Sequence, residues 1–134
     1  MPNEFMIPVE QGDTPDLVLG PLQVRDPITN ALSPIDLTQI GIHLWLTAKV
    51  AKSDADGAAV FQKVYVQGGG GNTISVNSPA SAGKNYATAR LAAVDTEDLA
   101  VPVDLYADVV LQEPDGRVTT IARGTIAVLD RVKD

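Results

Sequence analysis

The sequence predicts an all-β fold, an antiparallel β-sandwich of seven or eight short strands, and three observations predict it. The first lies in residues 104–130, where two runs rich in β-branched and apolar residues flank Glu113-Pro114-Asp115-Gly116. Proline pre-sets φ, and the Asp-Gly pair tolerates the positive φ that closes a hairpin. The second is alternation at a period of two. Leu105, Ala107, Val109 and Leu111 fall on one face of the first run, and Tyr106, Asp108, Val110 and Gln112 fall on the other. The third is punctuation: short β-rich runs follow one another between turn signals, and no run carries a convincing helical period. A small open barrel is the alternative architecture for the same pattern.

Taken in order, Glu4 to Glu10 reads as a first strand, and Pro8, which cannot donate to a ladder, assigns it to a sheet edge or to pairing outside the domain. Gln11 to Pro15 is a turn. Strand character resumes from Leu17 to Val24, with a kink or bulge at Gly20-Pro21. A polar turn region around Asp26-Pro27, Thr29-Asn30 and Ser33-Pro34 leads through Ile35-Asp36-Leu37-Thr38 into the clearest strand, read as central. There Ile40, Ile42, Leu44 and Leu46 alternate with Gly41, His43, Trp45 and Thr47. Residues 49–57 form a polar connection, 58–67 a strand, 68–72 a glycine-rich turn or loop, 73–76 a short strand and 77–85 a Ser/Pro/Gly loop. Tyr86 to Ala93 alternates in Ala87, Ala89, Leu91 and Ala93 and reads as β, although its composition would also suit a helix. Asp95 to Leu99 reads as one helical turn capped by Asp95. In the last strand the apolar set is Val118, Ala122, Ile126 and Val128, with Ile121, Ala127 and Leu129 on the other parity. Gly124 among them marks a bulge or a close backbone approach.

Composition narrows the functional classes. A chain of 134 residues is one domain's worth, residues 1–134, and large enough for its own core. With 45% hydrophobic, 20% charged and only 4% aromatic residues, that core must be mostly Val, Ile, Leu and Ala. The net charge of -7, with the basic residues scattered singly, argues against nucleic-acid binding. No apolar run is long enough to span a bilayer, and no signal peptide is evident, which predicts a protein made and folded in a cytosol. With no cysteine there is no disulfide, thiolate metal site or cysteine nucleophile.

No constellation of catalytic residues emerges. His43 is the only histidine, so a histidine metal cluster is excluded, and its alternation with Trp45, the only tryptophan, suits packing or a subunit contact, where tryptophan is enriched. The glycine run 68–71 is followed by Asn72-Thr73 and lacks the Lys-Ser or Lys-Thr of a phosphate loop. Asp54, Asp56 and Gly57 resemble the centre of a calcium loop, but Lys52 and Lys63 would stand at its first and twelfth positions, where carboxylates are required. Asp95, Glu97 and Asp98 lie within one turn, too close to sit across a substrate. No serine sits in a nucleophile-elbow pattern. The sequence therefore predicts a non-enzymatic protein without cofactor or metal. Its candidate interface residues are Trp45 and His43, together with Phe5 and Met6 of the edge strand.

The order of the turn motifs resembles a family. Gln11-Gly12-Asp13-Thr14 follows a first strand, Ile35-Asp36-Leu37-Thr38 precedes the strand of Trp45, and Asp95-Thr96 precedes the terminal hairpin. That hairpin carries Tyr106-Ala107-Asp108-Val109, Asp115-Gly116-Arg117-Val118 and Gly124-Thr125. Together they span nearly the whole chain, which is similar to the small Ig-like β-sandwich domain of tailed-phage structural proteins, as in the N-terminal domain of phage baseplate upper proteins. Gln39 stands where such domains usually carry glycine, and the loops around Asp54 and Gly68 are longer. The resemblance implies a structural component of a bacteriophage virion, in tail, baseplate or neck. It would be made in the host cytoplasm and assembled with other virion proteins as a symmetric homo-oligomer, and the chain ends, which carry no anchor, fit a free-standing subunit. A glycan-binding or host-adhesion module is the alternative, and it would need more exposed aromatics than Trp45 and the three tyrosines.

Overall fold

The fold is given by a computed structural model, which describes residues 3–26, 28–51, 59–67, 69, 72–76 and 85–130. The strands among them are β1 (Asn3–Glu10), β2 (Asp16–Leu19), β3 (Gln23–Arg25), β4 (Leu32–Pro34), β5 (His43–Lys49), β6 (Phe61–Val66), β7 (Ile74–Val76), β8 (Ala87–Arg90), β9 (Val103–Gln112) and β10 (Val118–Leu129). A 3-10 turn, Ala93–Asp95, precedes β9. One sheet has five strands in the order β1-β10-β9-β5-β6, a second has three in the order β2-β8-β7, and β3 and β4 form a small hairpin. Pairing is antiparallel except between β1 and β10, which run parallel. A single buried apolar cluster joins the two larger sheets. Leu44, Leu46, Leu105, Val109, Leu111, Ile126 and Val128 come from one, and Leu17, Leu19, Ile74, Ala87 and Ala89 from the other. The molecule is an all-β sandwich, and each fully buried Leu, Ile or Val side chain in it contributes ~1.5–3 kcal/mol by leaving water.

The terminal hairpin forms as its sequence predicts. Leu105, Ala107, Val109 and Leu111 are all buried on the inner face. Gly116 closes the turn at φ +91°, and the Gly116 N–H donates to Glu113 O at 2.8 Å. Of the two alternatives read at Gly124, the close backbone approach is the one found there, and the bulge of this strand lies three residues earlier. The register slips between Thr120 and Ala122, so Ile121 is the extra residue of a bulge. Gly124 itself is where β1 comes closest: a Cβ there would lie 2.6 Å from the Phe5 ring and would also clash with the Phe5 carbonyl. Phe5, Gly124, Ala107, Ala48 and Phe61 form one row across all five strands. Two phenylalanines thus end a row of small residues, and the ring of Phe5 crosses the space that Gly124 leaves.

Tertiary context redraws several elements. The strand of Trp45 begins at His43, not Ile40. The Asp36 carboxylate accepts the Thr38 N–H at 2.9 Å and binds the Thr38 hydroxyl, holding a turn that ends at Gly41 (φ +91°) and leaves Ile40 82% exposed. A Cβ at Gly41 would lie 3.2 Å from Pro114 Cα, so a side chain there would be tight as well as strained. The centre of the large sheet is β9, with β5 between β9 and the edge strand β6. The run from Leu17 to Val24 divides at Gly20-Pro21 between two sheets, and the polar turn region after it holds the β3–β4 hairpin, so there are more strands than seven or eight. Residues 87–90 are β, as the alternation of Ala87 and Ala89 predicts. The helical turn falls two residues earlier than expected. Asp95 ends it and accepts the Ala92 N–H at 2.7 Å, so Asp95 is not its N-cap. The acidic run at Asp54 and Asp56, most of the glycine run and most of the 77–85 loop lie outside the described residues.

Candidate functional site

The sheet registers fix what the outward face of the five-stranded sheet presents. Side chains alternate across a strand, so residues paired across strands form rows on one face. Near the terminal turn the outward rows are Thr120-Val110-Trp45-Val64 and Val118-Gln112-His43-Val66. His43 and Trp45, both half-buried, stack there with ring centroids 3.9 Å apart and planes inclined by 27°. Val118 and Val66 beside them are exposed, which leaves an apolar patch around the stack. Next comes a polar row, Glu4-Arg123-Asp108-Thr47-Gln62, in which Gln62 Nε2 donates to Thr47 Oγ1 at 2.9 Å. Beyond it lies Met6-Thr125-Tyr106-Lys49. These last two rows line a concavity of about 820 Å³.

The structure therefore places three of the four candidate interface residues on this face and separates them. His43 and Trp45 sit together near the terminal turn, and Met6, 73% exposed, lies across the polar row at the β1 edge. Phe5 points the other way. Its ring lies against Gly124 and packs on the core, so its part is in holding β1 to β10.

The two edges of the large sheet differ. Along β6 the chain covers itself. Val64 N–H donates to Thr73 Oγ1 at 2.8 Å, Val66 N–H donates to Asn72 Oδ1 at 2.9 Å, and Val64 O accepts the Thr73 N–H at 2.9 Å. On the inner side Lys63, 8% exposed, is ion-paired to Asp95 at 2.7 Å, and an inward charge also discourages edge pairing. Along β1 the Gln11 N–H reaches Leu129 O of β10 at 2.9 Å, so Phe5, Ile7 and Val9, of the same parity, turn their backbone groups inward to β10. Glu4, Met6, Pro8 and Glu10 turn theirs away from the sheet. Pro8 sits at an edge position that needs no donor, as its missing N–H requires. Sequence reasoning identified this edge but not the protection of the other, because Asn72 and Thr73 are unremarkable until the chain folds back over β6.

The motifs that carry the family resemblance are brought together in pairs. At one end of the sandwich Gln11 Nε2 donates to the carbonyls of Thr96 (3.1 Å), Glu97 (3.0 Å) and Leu99 (2.7 Å), while the Gly12 N–H donates to Thr96 Oγ1 at 2.8 Å. Thr96 is 1% exposed. At the other end the Ile35–Thr38 turn leads to Gly41, where an added Cβ would lie 3.2 Å from Pro114 of the terminal turn. There the Asp115 carboxylate accepts the Arg117 N–H at 2.9 Å, and Arg117 also pairs with Glu113, which raises the Arg117 pKa. These residues close the fold. Among the described residues no group of three His, Asp or Glu side chains is placed to hold a metal ion. No family model matches this chain, and no curated protein is detectably similar to it in sequence.

Proposed function

We propose that the chain is a non-enzymatic structural subunit of a tailed-phage virion, in tail, baseplate or neck, and that it acts through contacts with neighbouring subunits. The observation that carries this reading is the ordered set of turn motifs from Gln11-Gly12-Asp13-Thr14 to Gly124-Thr125. What supports it further is that Gln11 and Gly12 of the first motif both bond to Thr96 of a later one, far along the chain. An outward sheet face with an aromatic stack, and a β1 edge that no other described strand covers, suit a protein that works by being contacted. The test is mass spectrometry of sedimented particles from the native source, with copy number. Co-sedimentation at a small fixed multiple is the expected result, and a chain confined to the unsedimented fraction refutes the reading.

A glycan-binding module is the second reading. The observation in its favour is the concavity of about 820 Å³, where Tyr106 is exposed beside Thr125, Lys49 and Asp108. Saturable binding on a glycan array, abolished by Tyr106→Ala, is the outcome that favours it over the first.

A further inference from the structure

The β1 edge has a second feature beneath it. A slot of about 320 Å³ opens between β1 and the β2–β3 segment, with Phe5 and Ile7 on one wall, Val18, Leu19 and Leu22 on the other, Ala122 in the core behind, and Glu4 and Gln23 as its polar lining. β1 is the last strand of its sheet and β2 the last of its own, so the slot is the lateral mouth of the sandwich. At its rim Val18 is 50% exposed. Along the edge, the backbone donors of Glu4 and Met6 and the acceptors of Glu4, Met6 and Pro8 face away from β10. The acceptor of Glu10 is used by the Asp13 N–H at 3.1 Å, so the open ladder ends at Pro8.

We propose that this edge and the slot beneath it form one docking site for an extended strand of a partner protein, apolar at alternate positions with lysine or arginine between them. A strand added to β1 alternates its side chains between the two faces of the sheet, so one set enters the slot while the other lies beside the outward row Glu4, Met6, Pro8 and Glu10. The carboxylates in that row, on a chain of net charge -7, select cationic residues in the second set. No ion pair among the described residues joins Glu4 to its register neighbour Arg123. The same charge disfavours a second copy of this chain as the occupant. Among the described residues the β6 edge is covered and the β1 edge is not, which directs the addition to one side. This proposal rests on the reading of the chain as a subunit that works through contacts, and it names one of them.

The test uses the full chain and a short fluorescein-labelled peptide in which valine alternates with lysine. A peptide of the same composition with its lysines and valines in two blocks controls for charge, and a valine–glutamate alternation controls for edge pairing without charge attraction. The expected result is saturable binding of the alternating cationic peptide at least about tenfold tighter than either control, with slowed amide exchange at Glu4 and Met6. Met6→Pro removes one outward donor at the parity where Pro8 is already accommodated, and it should weaken binding about fivefold, in line with the loss of one hydrogen bond. Val18→Lys, at the slot rim, should weaken it as well without touching β1. Equal binding of the block peptide, or unchanged exchange at Met6 on saturation, overturns the proposal. So does concentration-dependent protection of β1 without peptide, which would make a second copy the occupant. Particle sedimentation is independent of these outcomes: a chain that sediments with particles but never protects β1 leaves the subunit reading intact and removes this site.

Discussion

Three residues carry constraints that their neighbours do not. Gly116 adopts φ +91° with open space where a Cβ would stand, so the cost of a side chain there is conformational and not steric. Gly116→Val should lower stability by about 1 kcal/mol or more in urea denaturation. Gly124 is the opposite case, since its added Cβ meets the backbone and ring of Phe5. Gly124→Val should cost ~2–3 kcal/mol and free β1 selectively, seen as faster amide exchange at Phe5 and Ile7 than in β9. Asp26 is set by its turn. Its carboxylate accepts the N–H groups of Thr29 and Ile28, which holds its pKa below the ordinary carboxylate value. A group with a lowered folded pKa stabilises fully above its unfolded value, about 3.9, and loses that contribution as pH falls through the folded one. Thermal scans should therefore give Asp26→Asn a shallower loss of stability than wild type from about pH 4 downward.

At the scale of elements, edges and connections decide the behaviour. The Lys63–Asp95 pair ties edge strand β6 to the 3-10 turn ahead of β9, with side chains 10% and 13% exposed. Removing one partner strands the other, so Lys63→Met should cost about 3 kcal/mol, and Lys63→Met with Asp95→Leu should recover much of that in a double-mutant cycle. This pair was not legible in the sequence. Lys63 reads as the polar position of a strand and Asp95 as a helix cap, and only the register of β6 against β5 turns Lys63 inward opposite Leu46. The turn of the terminal hairpin and the faces of its first strand were legible, because turn chemistry and period-two alternation are local. In the second strand, however, the bulge at Ile121 turns Val118 outward, away from Ala122, Ile126 and Val128 with which its parity groups it, and buries Ile121. The start of the β5 strand was not, since Ile40 continues the apolar pattern while the Asp36–Thr38 turn has already claimed the backbone.

At the scale of the whole molecule, assembly is the property to measure. With the aromatic stack at an interface, Trp45→Ala should shift the protein toward smaller species in analytical ultracentrifugation while retaining its far-UV spectrum, and an unchanged distribution of folded protein counts against that use of the face. Of the candidate interface residues, Trp45 and His43 were legible as neighbours because alternate positions of one strand share a face, and they do stack. Their separation from Met6 by a polar row, and the inward turn of Phe5, were not. The sequence by itself determined the all-β class, the terminal hairpin, the edge character of the Pro8 strand and the close approach at Gly124, since each follows from backbone chemistry within a few residues. Tertiary structure alone decided the strand order, the parallel pairing of β1 with β10, the Gln11–Thr96 contact and the covering of one edge but not the other. The first three join residues tens of positions apart, and a pairing at that range is chosen by the burial of whole faces together, which no local pattern encodes, while the covering of β6 joins residues six to nine positions apart and depends on Asn72 and Thr73 facing its backbone.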